Sequence, residues 1–186
     1  MIIMGHVYIY YGTGGGKTTS ALGVALRSVG HRHRVVVVQI MKWFMETGEV
    51  MVADLLSPYY EIHQFGRRGW LKIGINKNES ETGFETRYPT EEDIQAAHEG
   101  LAYAEKVLRN GDCDLLIIDE VCLAIHSGLL VVEEVLKILE NIPERTNVIL
   151  TGRYAPKKLV ERADFVNQIV EIKSPDEFVT EKGIQY

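Results

Sequence analysis

Cysteine is scarce in this chain. Only two occur in 186 residues, Cys113 and Cys122, at no spacing that suits zinc. That excludes a disulfide framework and predicts two reduced thiols in a core. No apolar run approaches the length of a membrane span. The first residues, Met1 to His6, lack the parts of a signal peptide. A cytoplasmic protein with no membrane contact is expected. Basic excess is missing too: 20 Lys and Arg face 26 Asp and Glu, a formal net charge of −6. That balance argues against a nucleic-acid or anionic-membrane binder. Internal repeats and low-complexity linkers are absent, so the 186 residues read as one nucleotide-binding domain over 1–186.

What is present begins at the glycines. Val7 to Tyr11 is an apolar run that reads as a strand, and Ser20 to Leu26 reads as a helix. Between them stands Gly12-Thr13-Gly14-Gly15-Gly16-Lys17-Thr18-Thr19. A glycine-rich turn between strand and helix lets backbone N–H groups approach a phosphate. Lys17 adds positive charge, and the Thr18 hydroxyl is placed to ligate Mg²⁺. The usual P-loop has a glycine, four residues, then Gly-Lys-Ser/Thr. Here Tyr11 stands where the first glycine would be, and Gly12 arrives one residue late. The loop is one residue short and should hold its phosphates differently from an ordinary ATPase.

Further strands are expected at Arg34–Ile40, Tyr60–Phe65, Leu115–Asp119, Asn147–Thr151 and Val166–Ile172. The four valines from Val35 to Val38 suit a strand covered on both faces. Helices are expected at Lys17–Gly30, from Thr90 to about Asn110, at Leu130–Glu140 and at Lys157–Ala163. Thr90 precedes Glu91, Glu92 and Asp93, a capped and acidic first turn. Residues 66–89 read as a long functional loop. The alternation implies an α/β fold, a mostly parallel sheet with helices on both faces. Ligands of such folds lie beyond the carboxyl ends of the strands.

Two more strand ends carry chemistry. Leu115 to Glu120 is an apolar strand ending in two carboxylates, the Walker B pattern. Either Asp119 or Glu120 could hold Mg²⁺ opposite Thr18. Thr151-Gly152-Arg153 ends the next strand, where an arginine can clamp a polyphosphate. Arg27 lies in the last turn of the first helix, where a cation also suits the helix C-terminus.

Together these residues resemble the P-loop type of corrinoid adenosyltransferase, whose shortened loop reads Gly-Asn-Gly-Lys-Gly-Lys-Thr-Thr. The likeness continues through Arg27, Gly30-His31, Val37-Val38-Gln39 and Lys42. It resumes at Asp119-Glu120, Leu130 to Val135, Val148 to Arg153, and Leu159 to Val166. The resemblance implies a RecA-like P-loop fold, a homodimer and a separate electron-donor reductase. It implies transfer of the 5′-deoxyadenosyl group of MgATP to Co(I) of a corrinoid, with release of triphosphate. Gly12 to Thr19 would hold the phosphates. Lys17, Thr18 and Glu120 would carry the catalysis. Thr18 and Glu120, with Asp119 beside them, would be the Mg²⁺ partners, and Arg27 and Arg153 would contact the nucleotide.

The chain departs from the family pattern at Thr13 and Gly15, where the pattern has Asn and Lys. Gly69-Trp70-Leu71-Lys72 stands where well-studied members carry Gly-Phe-Thr-Trp. Trp70 is the expected corrinoid contact, and the 66–89 loop the expected lid in place of an N-terminal extension. A P-loop ATPase or phosphotransferase, or an ATP- or corrinoid-binding protein without turnover, are the alternatives.

Overall fold

A computed structural model describes residues 5–72, 86–175, 179 and 181–185 of the chain. Six parallel strands form its central sheet. They are β1 (Val7–Tyr11), β2 (Val35–Ile40), β3 (Tyr60–Phe65), β6 (Leu115–Asp119), β7 (Asn147–Gly152) and β8 (Phe165–Gln168). Their order across the sheet is β3-β2-β6-β7-β1-β8. A separate parallel pair joins β4 (Trp70–Leu71) to β5 (Thr86–Arg87).

The apolar runs of β2 and β6 are continuous because both faces of the sheet are covered. Val36, Val38, Leu116 and Ile118 point into one core. Helices α4 (Glu91–Asn110), α5 (Val121–His126), α6 (Val132–Leu139) and α7 (Lys157–Arg162) close that side. Val35, Val37, Leu115 and Ile117 point the other way, onto α1 (Lys17–Gly30) and α3 (Ala53–Leu56). The four valines of β2 are at most 3% exposed, each burial being worth about 1.5–3 kcal/mol. Helix α1 meets the sheet through Ala21 and Ala25, whose small side chains allow close approach. This is the RecA-like α/β arrangement, with helices on both faces.

Several expectations shift at their edges. The helix expected over 130–140 is shorter, and α5 precedes it. A further four-residue helix, α2 (Gly48–Met51), stands just before α3. The strand expected to run to Ile172 stops at Gln168, because the chain then turns over the glycine-rich loop: the Ile169 N–H donates to the Tyr11 carbonyl at 2.7 Å, and the Gly14 N–H to the Ile169 carbonyl at 3.1 Å. Of the expected 66–89 loop, residues 73–85 lie outside the described residues, as do Met1 to Met4 and the proposal of a lid that rested on the whole loop.

Candidate nucleotide site

The glycines of the loop serve two purposes. A Cβ at Gly12, whose φ is +128°, would run into the Ile169 carbonyl. One at Gly14 would come within 2.8 Å of the Val170 and Glu171 backbone. These two are buried and let 169–171 brace the loop from behind. Gly15 and Gly16 face open space, and Gly16 turns into α1 with φ +97°. Thr13, Gly15 and Gly16 are therefore the exposed rim that a phosphate can approach, at the amino end of α1. Thr19 is exposed one residue beyond Thr18. Lys17 is 8% exposed, and its ammonium donates to the Gly14 carbonyl at 2.7 Å. Burial lowers its pKa, with Glu120 opposing and Arg153 adding to the fall.

Alternation along the strands sets the next residues. Gln39, Asp119 and Thr151 share the face of Val37, Ile117 and Ile149, which is the face of α1. All three are fully buried, at the carboxyl ends of three adjacent strands. The Asp119 carboxylate gathers them. Its Oδ1 accepts from Thr18 Oγ1 at 2.8 Å and from Thr151 Oγ1 at 2.5 Å. Its Oδ2 accepts from Gln39 Nε2 at 3.1 Å.

Glu120 follows in the left-handed region, φ +61°, a conformation that costs a residue with a side chain about 1 kcal/mol or more. Its N–H donates to Thr151 Oγ1 at 2.9 Å, which holds the turn. Its Oε2 is enclosed and has no hydrogen-bond partner among the described residues. Burial raises the pKa of Glu120, the Asp119 charge raises it further, and Lys42, Lys17 and Arg153 pull it back. Two carboxylates and three cations thus share one field. The donor set suits Mg²⁺: a hydroxyl, a carboxylate already beside it and an orphaned carboxylate oxygen, all hard ligands. Among the described residues no group of three His, Cys, Asp or Glu would cage a metal unaided. A Mg²⁺ here would draw its other ligands from phosphate and water.

The structure therefore brings together Gly12 to Thr18, Asp119, Glu120 and Arg153. It does not bring Arg27 to them. Ten residues separate Arg27 from Lys17, about 15 Å of helix. Arg27 instead lines a cavity of about 680 Å³ with Tyr8, Tyr10 and His33, toward the amino ends of the strands. Trp70 is 49% exposed, in β4, edge-on to Trp43 with ring centres 5.5 Å apart. Trp43 follows β2, so this pair stands beyond the carboxyl ends as well. Phe44, Met45 and Tyr88 are also exposed. Lys72, at the departure from the family pattern, lies 5.4 Å over the Tyr88 ring.

Four residues of this region escape motif reading: Gln39 and Lys42, visible only as parts of a likeness, and Glu49 and Gln64, not visible at all. Gln64 pairs with Gln39 across β2 and β3, and Glu49 reaches Gln39 from α2. A glutamine ending a run of four valines was the one local signal.

Comparison with known proteins gives a single direction. The family model described as ATP:corrinoid adenosyltransferase BtuR/CobO/CobP matches residues 4–186. A corrinoid adenosyltransferase of Escherichia coli K12 is 31% identical, over 91% of this chain and 78% of its own length. The corrinoid adenosyltransferase CobA of Salmonella typhimurium is 29% identical, with the same coverage. A corrinoid adenosyltransferase of Pseudomonas aeruginosa is 28% identical, over 98% of this chain and 84% of its own length.

Proposed function

We propose that this chain, which belongs to the ATP:corrinoid adenosyltransferase family, moves the 5′-deoxyadenosyl group of MgATP onto Co(I) of a corrinoid and releases triphosphate. The observation that carries this reading is the convergence of Gly15, Gly16, Lys17, Thr18, Glu120 and Arg153 at one end of the sheet.

The chemistry needs little from the protein at the reacting carbon. The Co(I) electron pair forms the bond to C5′. The C5′–O bond breaks, and its electrons leave on the triphosphate. No proton moves, so no general base is required. The protein's task is to hold the leaving group as charge develops there. The open N–H groups of the loop rim and the Lys17 ammonium face that charge. To meet a phosphate, Lys17 exchanges the Gly14 carbonyl for the anion. Arg153 adds a planar fork from the end of β7. Mg²⁺, held by Thr18 and Glu120 with Asp119 orienting Thr18, would neutralise part of the same charge. The orphaned Oε2 of Glu120 supports it over Asp119 as the direct ligand, since Asp119 already accepts from three donors. Trp70, with Trp43, offers an apolar face to the corrinoid at the same end of the sheet. The enzyme works in the cytoplasm as a homodimer and receives a reduced corrinoid from a separate reductase.

Glu120 is also the residue that a hydrolase would use to position water. One anaerobic assay separates the readings. The chain is mixed with MgATP and chemically reduced cob(I)alamin. A light-sensitive alkylcobalt spectrum with one triphosphate per corrinoid is expected. ADP and phosphate without cobalt alkylation would transfer the site to hydrolysis. Binding with no product would make the chain a carrier.

A further inference from the structure

We propose that Gln39 and Gln64 form a buried amide relay that ties the Asp119 carboxylate to the Trp43–Phe44 segment, making Gln39 a positioning residue for both substrates. This rests on the MgATP reading of the site.

A primary amide buried in a valine strand is costly unless its groups are paired. Gln39 is 0% exposed, and both ends of its amide are engaged. Its Nε2 donates to Asp119 Oδ2 at 3.1 Å and to Glu49 Oε1 at 3.3 Å. Its Oε1 accepts from Gln64 Nε2 at 2.9 Å. Gln64 Nε2 also donates to the Phe44 carbonyl at 3.4 Å. Chemistry fixes the direction of both amides. Reversing Gln39 would set its oxygen against two carboxylates. Reversing Gln64 would set its oxygen against two acceptors. The relay therefore has one setting.

Each end of the relay meets a different half of the reaction. At one end, Asp119 uses Oδ1 for Thr18 and Thr151, so Gln39 alone among these side chains fixes the other oxygen. At the other end, the segment after β2 is held twice, at the Phe44 backbone and at Glu49 on α2. Between those points lie the exposed Phe44 and Met45, with Trp43 just before them, edge-on to Trp70. Gln64 Oε1 is enclosed and accepts from no donor among the described residues. Loading of metal and nucleotide at Thr18, whose hydroxyl donates to Asp119, is thereby transmitted to the aromatic face.

The chain carries only two tryptophans, Trp43 and Trp70, edge-on to each other, so emission excited at the red edge, where its nine tyrosines do not absorb, reads this pair. Saturating MgATP, without corrinoid, is expected to change the emission of the wild-type chain. Gln64→Met cuts the relay from the half-buried edge strand. It should keep MgATP affinity, read by equilibrium dialysis, within about threefold and lose the emission change. It should also raise the KM for reduced corrinoid more than the KM for ATP. Gln39→Met should lose the emission change and require about tenfold more Mg²⁺ for binding. Should Gln39→Met fail to fold, Gln64→Met decides alone. A full emission change in either folded variant would overturn the relay. So would a wild-type chain that binds MgATP by dialysis with no emission change. A wild-type chain that does not bind MgATP would overturn the nucleotide reading, and the relay with it.

Discussion

Burial pushes Lys17 and Glu120 toward neutrality; Glu120 opposes that shift at Lys17, and Lys42 and then Lys17 oppose it at Glu120. A lone buried ammonium or carboxylate is costly, and the cluster offsets that cost by mutual attraction. On the proposed reading, an incoming polyphosphate would replace the Gly14 carbonyl as the partner of Lys17. Lys17→Ala should lower the adenosyl-transfer rate by about a hundredfold or more, the usual cost of one lost charge-stabilising group. The fold should survive, since the side chain serves the loop and not the two hydrophobic cores. Initial rates with chemically reduced corrinoid and far-UV circular dichroism would check both halves. Near-normal transfer would remove Lys17 from the leaving-group site. Arg27 shows what residue-level reading leaves open: in the last turn of α1 it suits the helix C-terminus, and the family likeness alone makes it a nucleotide contact, while helical rise sets it about 15 Å from Lys17.

At the scale of elements, the best anchored start is that of α4. The Thr90 N–H and Oγ1 both donate to Asp93 Oδ2, at 2.9 and 3.0 Å. Arg87, in β5, forks onto both Asp93 oxygens at 2.5 Å. One carboxylate thus caps a helix and pins the small β4–β5 pair that carries Trp70. The Arg87 fork, aided by Thr90 and opposed by burial, lowers the Asp93 pKa to about 2. The unfolded chain holds that proton more tightly, at about 3.9. The stabilisation is therefore complete above about pH 4 and is lost as pH falls through about 2. With solvent screening it amounts to about 1 kcal/mol. Asp93→Asn should lower the Tm by about 2–4 °C at pH 7, and the gap should close near pH 2. Thermal melts of both chains across pH would read it, and a gap independent of pH would assign the loss to packing.

The same elements show why the sequence was legible in parts. Strands β2 and β6 were plain because burial on both faces leaves unbroken apolar runs. The loop from Gly12 and the pair Asp119-Glu120 were plain because their chemistry lies in consecutive residues. Helices α2 and α3 span four residues each, too few for a period to emerge. Helix α5 begins straight after a strand, from a left-handed Glu120 that no local pattern announces. The Gln39–Gln64 pair exists only through the register of β2 on β3, which no spacing encodes.

At the scale of the molecule, the two cysteines sample one core from opposite ends of the sheet. Cys113 precedes the amino end of β6, and Cys122 sits in α5 just beyond its carboxyl end. Both are buried in the core shared by α4, α5, α6 and α7. Burial pushes each thiol up to about 12, with Asp114 adding at Cys113 and Glu120 at Cys122. Neither forms thiolate near neutral pH, so the folded chain should not react with an aromatic disulfide reagent at pH 8. Reaction then requires opening. If the sheet and both helical layers open together, the two thiols should label at one rate. MgATP at about a hundred times its Kd should slow both by about a hundredfold, because the ligand binds only the folded chain. Mass spectrometry of each labelled peptide over time distinguishes the cases. Faster labelling at Cys122 would mean that α5 opens by itself, carrying the Glu120 turn with it. The carboxylate end of the site would then be its least stable part, and MgATP would protect Cys122 less than Cys113 to the extent that the chain with α5 open still binds it.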